Sequence, residues 1–515
     1  MKLKQYLLLL IAVQINMVLC AQSDEREANY HFKSENYAVS LKQYKKLFEK
    51  DTTNIEYSYR LGISYLNCNS NPKAALQYLL RAETEKNTDP LFLFSLGKAY
   101  LYNHKIQKAK EKFESCKNIA GKNETLKIEA DTWYNMAENA KTMIKSPLDV
   151  SFINMGKYIN SEMDELTPFV TPDNDILLYT SNIKYDHKFF IYTYNVFYSN
   201  KDNGFFKKGR LLSAVNSMDD EFMAGVSLTN ERIYVQLQGY DGFQDLIYSD
   251  RNGKGYRGKK GMNKNINSKY AEFGACETAN GDTLFFSSGR EGGFGGMDLY
   301  FSLKLPTGEW SMPRNLGDKI NTPYDEDFPV LSNNGGKMYF TSNCPQSMGG
   351  FDIFESKINA ATREFGKPKN LGYPLNDVFD NKTIAFSDNN RYAYVSAIKP
   401  DGFGFTDLYR VIFNQMDPAV KIIILNFKKL EGENKVPYAA ADTSLKITAF
   451  QKGKVVFGEY AYDFNSSSAT IALPPGSYSM EIVGTKTKVF TYKISVPDIP
   501  SGKKIEKKEI VLEPK

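Results

Sequence analysis

Three groups of residues in this sequence have the types and spacing that chemistry uses. The first is GREGGFGGMD, residues 289–298. A glycine-rich turn can cradle phosphate with its backbone N–H groups, provided that it occurs once, after a strand and before a helix. The second is a set of carboxylates in INSEMDELTP, VNSMDDEFMA, INSKYAEFGA and INTPYDEDFP. Clustered Asp and Glu are what a calcium site or an acid–base pair requires. The third is RNGKGYRGKKGMNK, residues 251–264, which carries Arg251, Lys254, Arg257, Lys259, Lys260 and Lys264 and no acid. Such a run suits an anionic surface, lipid phosphate or a polyanionic glycan, and it equally suits a solvated loop.

Other chemistry is thinly represented. The histidines are His31, His104 and His187, far apart and outside any HExxH or Cys/His cluster. There is no GxSxG elbow. Cys68, Cys116, Cys276 and Cys344 form no CxxC pair and read as buried small hydrophobes. No catalytic residue, cofactor or metal is expected. A formal charge of +5 is small for 515 residues and argues neither way on nucleic acid; no nucleic-acid partner is expected.

The glycines and carboxylates recur, and that decides their reading. An Asp precedes an aromatic strand at 245, 298, 352 and 407, at spacings of 53, 54 and 55 residues. An Asn opens each acidic phrase at 160, 216, 267 and 321, and LNDVFDNKTI adds Asn376. Between these landmarks lie the strand-like runs DILLYTS, ERIYVQL, DTLFFSS, KMYFTSN and RYAYVSA. Residues 148–413 are therefore expected to form a five-bladed β-propeller, one four-stranded sheet per unit. A phosphate loop would not recur and would not precede another strand. The Gly-Gly turns let the chain reverse, and once-per-unit carboxylates read as turn-capping hydrogen-bond acceptors. The fifth unit ends at DLYRVIF without an outer strand such as EWSMPRNLG or EFGKPKNLG, whereas DVSFINMGKYIN, ahead of the first unit, matches NLGDKIN. The amino-terminal segment is thus expected to complete the last blade.

These residues resemble the TolB-like, WD-repeat-like propeller of bacterial envelope proteins, with departures. The second unit lacks the proline, the third has Ala271-Glu272 for Asp-Glu, and the fifth has Asp380-Asn381. Some peptidases carry a similar propeller before an α/β-hydrolase domain, but here the chain continues into strands.

Residues 25–145 have helical period. Ala28, Gly62 and Gly97 sit 34 and 35 residues apart, each followed by large residues such as Tyr44, Tyr78 and Phe113. A small residue is needed where two helices of a hairpin cross closely. LGISY and LGKAY resemble the tetratricopeptide repeat. Its concave face would present Tyr59, Asn67, Lys98 and Tyr102, either as a partner-binding groove or as a spacer packed on the next domain. Residues 419–515 alternate apolar and polar positions as a β-sandwich, and LPPGSYSMEIVGT resembles the carboxypeptidase regulatory-like domain.

MKLKQYLLLLIAVQINMVLCAQ reads as an export signal, residues 1–21, with Lys2 and Lys4 ahead of an apolar stretch too short to span a bilayer. Lipidation at Cys20 is the alternative to cleavage, although Leu19 is large for a lipoprotein signal. No later run suits a transmembrane helix.

The expected fold class is multidomain, α plus all-β: tetratricopeptide hairpins, a five-bladed propeller and a C-terminal β-sandwich. That order resembles the PorE-like periplasmic proteins of the type IX secretion and gliding machinery of Bacteroidota. Those end in an OmpA-like domain that grips peptidoglycan; this chain ends at Lys515 without one, so wall anchoring is not carried over. The resemblance implies a periplasmic adaptor at the inner face of the outer membrane, docking a barrel or another secretion or envelope protein. The alternative is a module that binds cell-wall glycan or peptidoglycan in the propeller mouth.

Overall fold

The structure is a computed structural model. It describes residues 24–515 except 70, 188–190, 203–204, 240–241, 360–361, 363, 388–390, 416–420, 439–444, 452–453, 461, 464–465 and 497–504. The export-signal segment and Cys20 lie outside the described residues. Among the described residues, no helix is long and apolar enough to cross a membrane.

The first part is helical: α1 (24–33), α2 (Tyr37–Lys50), α3 (Ile55–Asn67), α4 (Pro72–Lys86), α5 (Pro90–Tyr102), α6 (Ile106–Ile119) and α7 (Glu124–Met143). Local signals start several of them. Asn54, Asn71, Asp89 and Asn123 each accept a backbone N–H from the first turn of the helix they precede. Pro72 and Pro90 sit at the first helical position, where no N–H is missed. The glycines do what their spacing implies. A Cβ on Gly62 would stand 2.7 Å from Leu79 Cγ, and one on Gly97 would stand 2.6 Å from Phe113 Cε1. Each helix pair therefore packs a large side chain of one helix directly on the bare backbone of the other.

Residues 150–413 form five antiparallel sheets. The first contains Glu165–Val170, Ile176–Asp186, Ile191–Asp202 and Phe205–Phe206. The second contains Asp220–Val226, Arg232–Gln238, Gln244–Asn252 and Gly255–Tyr256. The third runs from Glu272–Glu277 to Arg314–Asn315, and the fourth from Glu326–Leu331 to Lys369–Asn370. The fifth orders Ile384–Phe386, Tyr392–Ala397, Asp407–Phe413 and, outermost, Val150–Asn154. That last strand pairs Val150 with Phe413 and Asn154 with Tyr409, so the start of the β region hydrogen-bonds to its end. The opening strands of the first four sheets pack on one another in succession, and the fifth sheet packs on the first. Tyr339 of the fourth sheet meets Phe386 of the fifth with ring centroids 4.6 Å apart.

A separate core, including Ile423, Phe427, Ile447, Ile471 and Met480, holds two further four-stranded sheets between 421 and 511. Strand Lys421–Glu431 buries alternate residues inward, and Ile505–Val511 pairs with it in parallel.

The helices dock on the β region by their own side chains. Tyr102 lies 4.6 Å from Phe379, and Thr132 Oγ1 is 3.2 Å from the Tyr324 hydroxyl. Asn139 donates to the carbonyls of Pro345 and Ser347 at 2.6 and 2.9 Å. Lys42 donates to the Tyr192 hydroxyl. Met348, Val378 and Phe379 belong to the same hydrophobic cluster as Tyr102, Phe113 and Trp133, so helices and sheets share a core.

The glycine-rich turns also have a packing reason. Gly295, Gly349 and Gly404, each three residues before the recurring Asp, lie against the backbone of the next unit. An added Cβ would stand 1.8 Å from Tyr324 O, 2.2 Å from Val378 O and 2.4 Å from Met163 O, respectively. Their need is space, while Gly292 and Gly350 in the same turns take the positive φ that chain reversal calls for. Gly404→Ala, at the contact between the last sheet and the first, is expected to cost about 1–3 kcal/mol. Gly258→Ala, with nothing within 4 Å, is expected to stay within about 0.5 kcal/mol; urea unfolding of both variants checks this.

Candidate functional site

The recurring polar residues are engaged within the chain. Each landmark Asn bridges two units. Its Oδ1 accepts, and its Nδ2 donates to, the backbone of one residue in the third strand of the preceding sheet. The five pairs are Asn216 with Val196, Asn267 with Leu246, Asn321 with Leu299, Asn376 with Ile353 and Asn160 with Leu408, all at 2.8–3.0 Å. In three units a second Asn and the recurring Asp extend the clasp. Asn321 donates to Asn315 Oδ1, and Asn315 donates to Asp298 at 2.7 Å. Asn370 with Asp352, and Asn154 with Asp407, repeat the arrangement. Asp298 also accepts from the N–H groups of Phe294 and Gly295, and Asp407 from those of Phe403 and Gly404.

The acidic phrases close in the same way. Glu165 accepts from Ser161 N at 2.8 Å, Ser161 Oγ at 2.6 Å and Ser181 Oγ at 2.9 Å. Glu326 accepts from Thr322 N and Oγ1 and from Ser342 Oγ, and Glu272 from Ser268 N and Oγ and from Ser288 Oγ. Ser217 serves Glu221. These carboxyls are buried. Burial pushes Glu165, Glu221 and Glu326 up to about 7, against the pull of the Ser and Thr hydrogen bonds. Among the described residues, no group of three His, Cys, Asp or Glu is placed to hold a metal. His31 is buried beside Asn36, and the thiols of Cys68, Cys116, Cys276 and Cys344 are all buried.

An antiparallel meander sends its turns to two ends. The turns between second and third strands, and the links to the next sheet, share one end. Tyr324, Pro345, Met348 and Phe379 lie there, and the helices cover it. This corrects the open-groove expectation for the helices. Tyr102 is 8% exposed, with its ring against Phe379, so it faces its own chain. Lys98 is half-buried with its amine 4.6 Å from the Trp133 ring centroid; burial lowers its pKa, and Asp380 and Glu129 oppose this. Tyr59 is half-buried between Phe32 and Phe92. Asn67 is exposed, and its amide donates to Ile63 O in its own helix.

The basic residues lie at the opposite end and do not meet these four. Residues 251–256 are a hairpin of the second sheet. The acids absent from the loop come from its surroundings. Arg251 pairs with Asp173 at 2.7 Å, Lys260 with Asp250 at 2.8 Å, and Lys259 stands 3.9 Å from Glu221. Lys254 and Arg257 are exposed.

Two cavities open at this uncovered end. One sits where the opening strands converge, lined by Phe169, Val226, Cys276, Leu331 and Phe386, and measures about 40 Å³. That is room for a few waters and leaves no room for a sugar inside the mouth. The other is a cleft of about 480 Å³ between the third and fourth sheets. Its floor holds Phe285, Phe301, Leu303, Leu316, Ile358 and Phe365, with Asn280, Asn333 and Asn334 at its edge. Phe285 and Phe365 meet edge to face at 6.2 Å. A largely apolar cleft of this size with a few polar groups suits an apolar side chain or small ligand. Sequence reasoning missed it. The available signal was adjacent Phe285-Phe286: strand alternation turns only one inward, and Phe286 is the fully buried one.

No protein-family model matches this chain, and no curated protein matches it. The chain is similar to several solved structures. With TolB from Acinetobacter baumannii it shares 15% identity over 48% of this chain and 54% of that one, at a TM-score of 0.30. With a protein assigned as TolB from Agrobacterium tumefaciens it shares 13% identity over 50% of this chain and 78% of that one, at 0.31. With a glycoside hydrolase it shares 10% identity over 54% of this chain and 95% of that one, at 0.38.

The buried glutamates set a pH dependence. Their folded pKa lies above the unfolded value, so the folded state holds the proton more tightly. Their contribution is full below about pH 4.5 and is lost as pH rises through about 7. The thermal midpoint is expected to fall between pH 5 and pH 8, and the double variant Glu165→Gln/Glu326→Gln is expected to flatten that slope in a differential scanning calorimetry series.

Proposed function

We propose that this chain is a non-enzymatic scaffold of the PorE-like type: tetratricopeptide hairpins locked onto a five-bladed TolB-like propeller, followed by a carboxypeptidase regulatory-like sandwich. It works in the periplasm at the inner face of the outer membrane and docks a barrel or another protein of the secretion envelope. The observation that carries this reading is the asymmetry of the β region. One end is covered by the chain's own helices, and the other offers the Phe285–Phe301–Phe365 cleft between the third and fourth sheets and, separately, exposed Lys254 and Arg257 on the outer hairpin of the second sheet.

A partner segment that sets an apolar side chain in the cleft gains its hydrophobic burial there. Lys254 and Arg257, elsewhere on the same end, favour an acidic region on that partner and speed encounter more than they add affinity. The rigid dock between helices and sheets keeps further contacts at fixed separation, so that one contact raises the effective concentration of the next. The engagement of the repeated carboxylates in hydrogen bonds of the frame supports a structural rather than catalytic use of them.

The test is affinity purification of the tagged chain from cross-linked, detergent-solubilised envelopes, with mass spectrometry of the eluate. A barrel or envelope protein is expected at near-equal amount. It should be lost with Leu303→Glu, at a site 41% exposed, and kept with Asn67→Ala. A chain that elutes alone, or a Leu303→Glu chain that keeps its partner, overturns the reading.

A further inference from the structure

The junction where the first sheet meets the fifth holds a second kind of site. A cavity of about 630 Å³ lies between the outermost strand of the fifth sheet and the outer hairpin of the first. Lys207, Lys208 and Arg410 line it, with Tyr158, Phe206 and Asp202. Asp202 pairs with Lys207 at 3.0 Å, which leaves three cations facing one carboxylate.

Two donors without an acceptor lie at this site, one on Arg410 in its lining and one on Tyr394 just behind it. Arg410 Nε is buried and has no hydrogen-bond partner, and the same holds for the hydroxyl of Tyr394. The two residues are direct cross-strand partners. Tyr394 is 1% exposed, and its ring packs on Phe206, a wall of the cavity. Its phenol is raised by burial and stays protonated, hence a donor. A buried donor left unmatched costs about 1–3 kcal/mol, and a pocket of excess positive charge above it is where an acceptor would be held. An oxyanion supplies several acceptor oxygens to one guanidinium and two ammonium groups at once. The net positive charge of two on the lining matches a phosphate monoester better than a single carboxylate.

We propose that this pocket binds a phosphate group, held by Arg410, Lys207 and Lys208 at the junction of the first and fifth sheets. The phosphate belongs either to a free phosphorylated molecule or to the head group of a membrane lipid. In the lipid case it is a terminal phosphate monoester, as in phosphatidic acid, so both present the same kind of anion to the same three cations. The site is independent of the cleft at the uncovered end.

The experiment uses the whole chain in two arms. Isothermal titration calorimetry with inorganic phosphate tests the free anion. Co-sedimentation with vesicles of phosphatidylcholine containing phosphatidic acid, against pure phosphatidylcholine, tests the lipid. Saturable binding is expected in at least one arm, weakened at least tenfold by Lys207→Gln/Lys208→Gln and by Arg410→Gln. The lysines are exposed, so their double variant keeps the fold even where Arg410→Gln does not. Lys254→Gln/Arg257→Gln, away from the pocket, is expected to leave binding unchanged. Binding in the calorimetric arm assigns the free anion, and binding in the vesicle arm alone assigns the lipid head group. Absence of binding in both arms overturns the proposal. So does equal weakening by the Lys254/Arg257 variant, which would mark generic surface electrostatics.

Discussion

The five sheets depend on an asparagine placed once per unit. The outer strands of the third and fourth sheets are two residues long, Arg314–Asn315 and Lys369–Asn370. Leu316 and Leu371, just past these strands, still donate their N–H groups to Leu299 O and Ile353 O at 3.0 Å, whereas the N–H groups of Leu299 and Ile353 donate to side chains. A carboxamide has the donor and acceptor of a peptide group, so Asn321 and Asn376 supply the acceptor for those N–H groups and a second donor to the same carbonyls. Because each Asn belongs to the following unit, the same bonds that finish one sheet tie down the next. Asn160 does this for Leu408 across the whole β region, which is why pairing of Val150–Asn154 with Asp407–Phe413 and the Asn160 clasp make a single closure. Asp407–Phe413 is thereby paired on both sides, by Val150–Asn154 and by Tyr392–Ala397.

The other features follow from that frame. Glycines occur where one unit's turn presses on the next unit's backbone. Glu165, Glu272 and Glu326 are buried because the turn ahead of the opening strand needs an acceptor for both a backbone N–H and a hydroxyl; in the fifth unit Asn381 accepts the N–H of Asp377 instead. Burying Glu165, Glu221 and Glu326 carries a desolvation cost that appears in their raised pKa. The helices then seal the end that carries these turns. Function is left to the surfaces that remain: the cleft and cations at the uncovered end, and the basic pocket at the junction.

Much of the frame was legible because it is periodic. The Asn and Asp landmarks recur with the units, and the match between DVSFINMGKYIN and NLGDKIN pointed to the strand that completes the fifth sheet. The small/large order around Gly62 and Gly97 pointed to close helix pairs. What the sequence could not supply was the docking between parts. Tyr102 has the type and position of a groove residue, and only the three-dimensional placement of Phe379 turns it into core. The loop 251–264 has no acid of its own, and its partners Asp173 and Glu221 come from the neighbouring turn and strand. The pocket around Arg410 joins residues 158, 207 and 410, which no local pattern connects.

The most direct test is hydrogen–deuterium exchange of Asn160→Ala against Asn321→Ala. Loss of the Asn160 clasp is predicted to raise exchange in both distant segments, 150–170 and 392–413, together, because they form one closure. Loss of Asn321 should raise exchange around 298–303 and 315–326 while leaving that closure protected. Exchange in Asn160→Ala that rises only beside residue 160, with the amide of Leu408 still protected, would contradict the account.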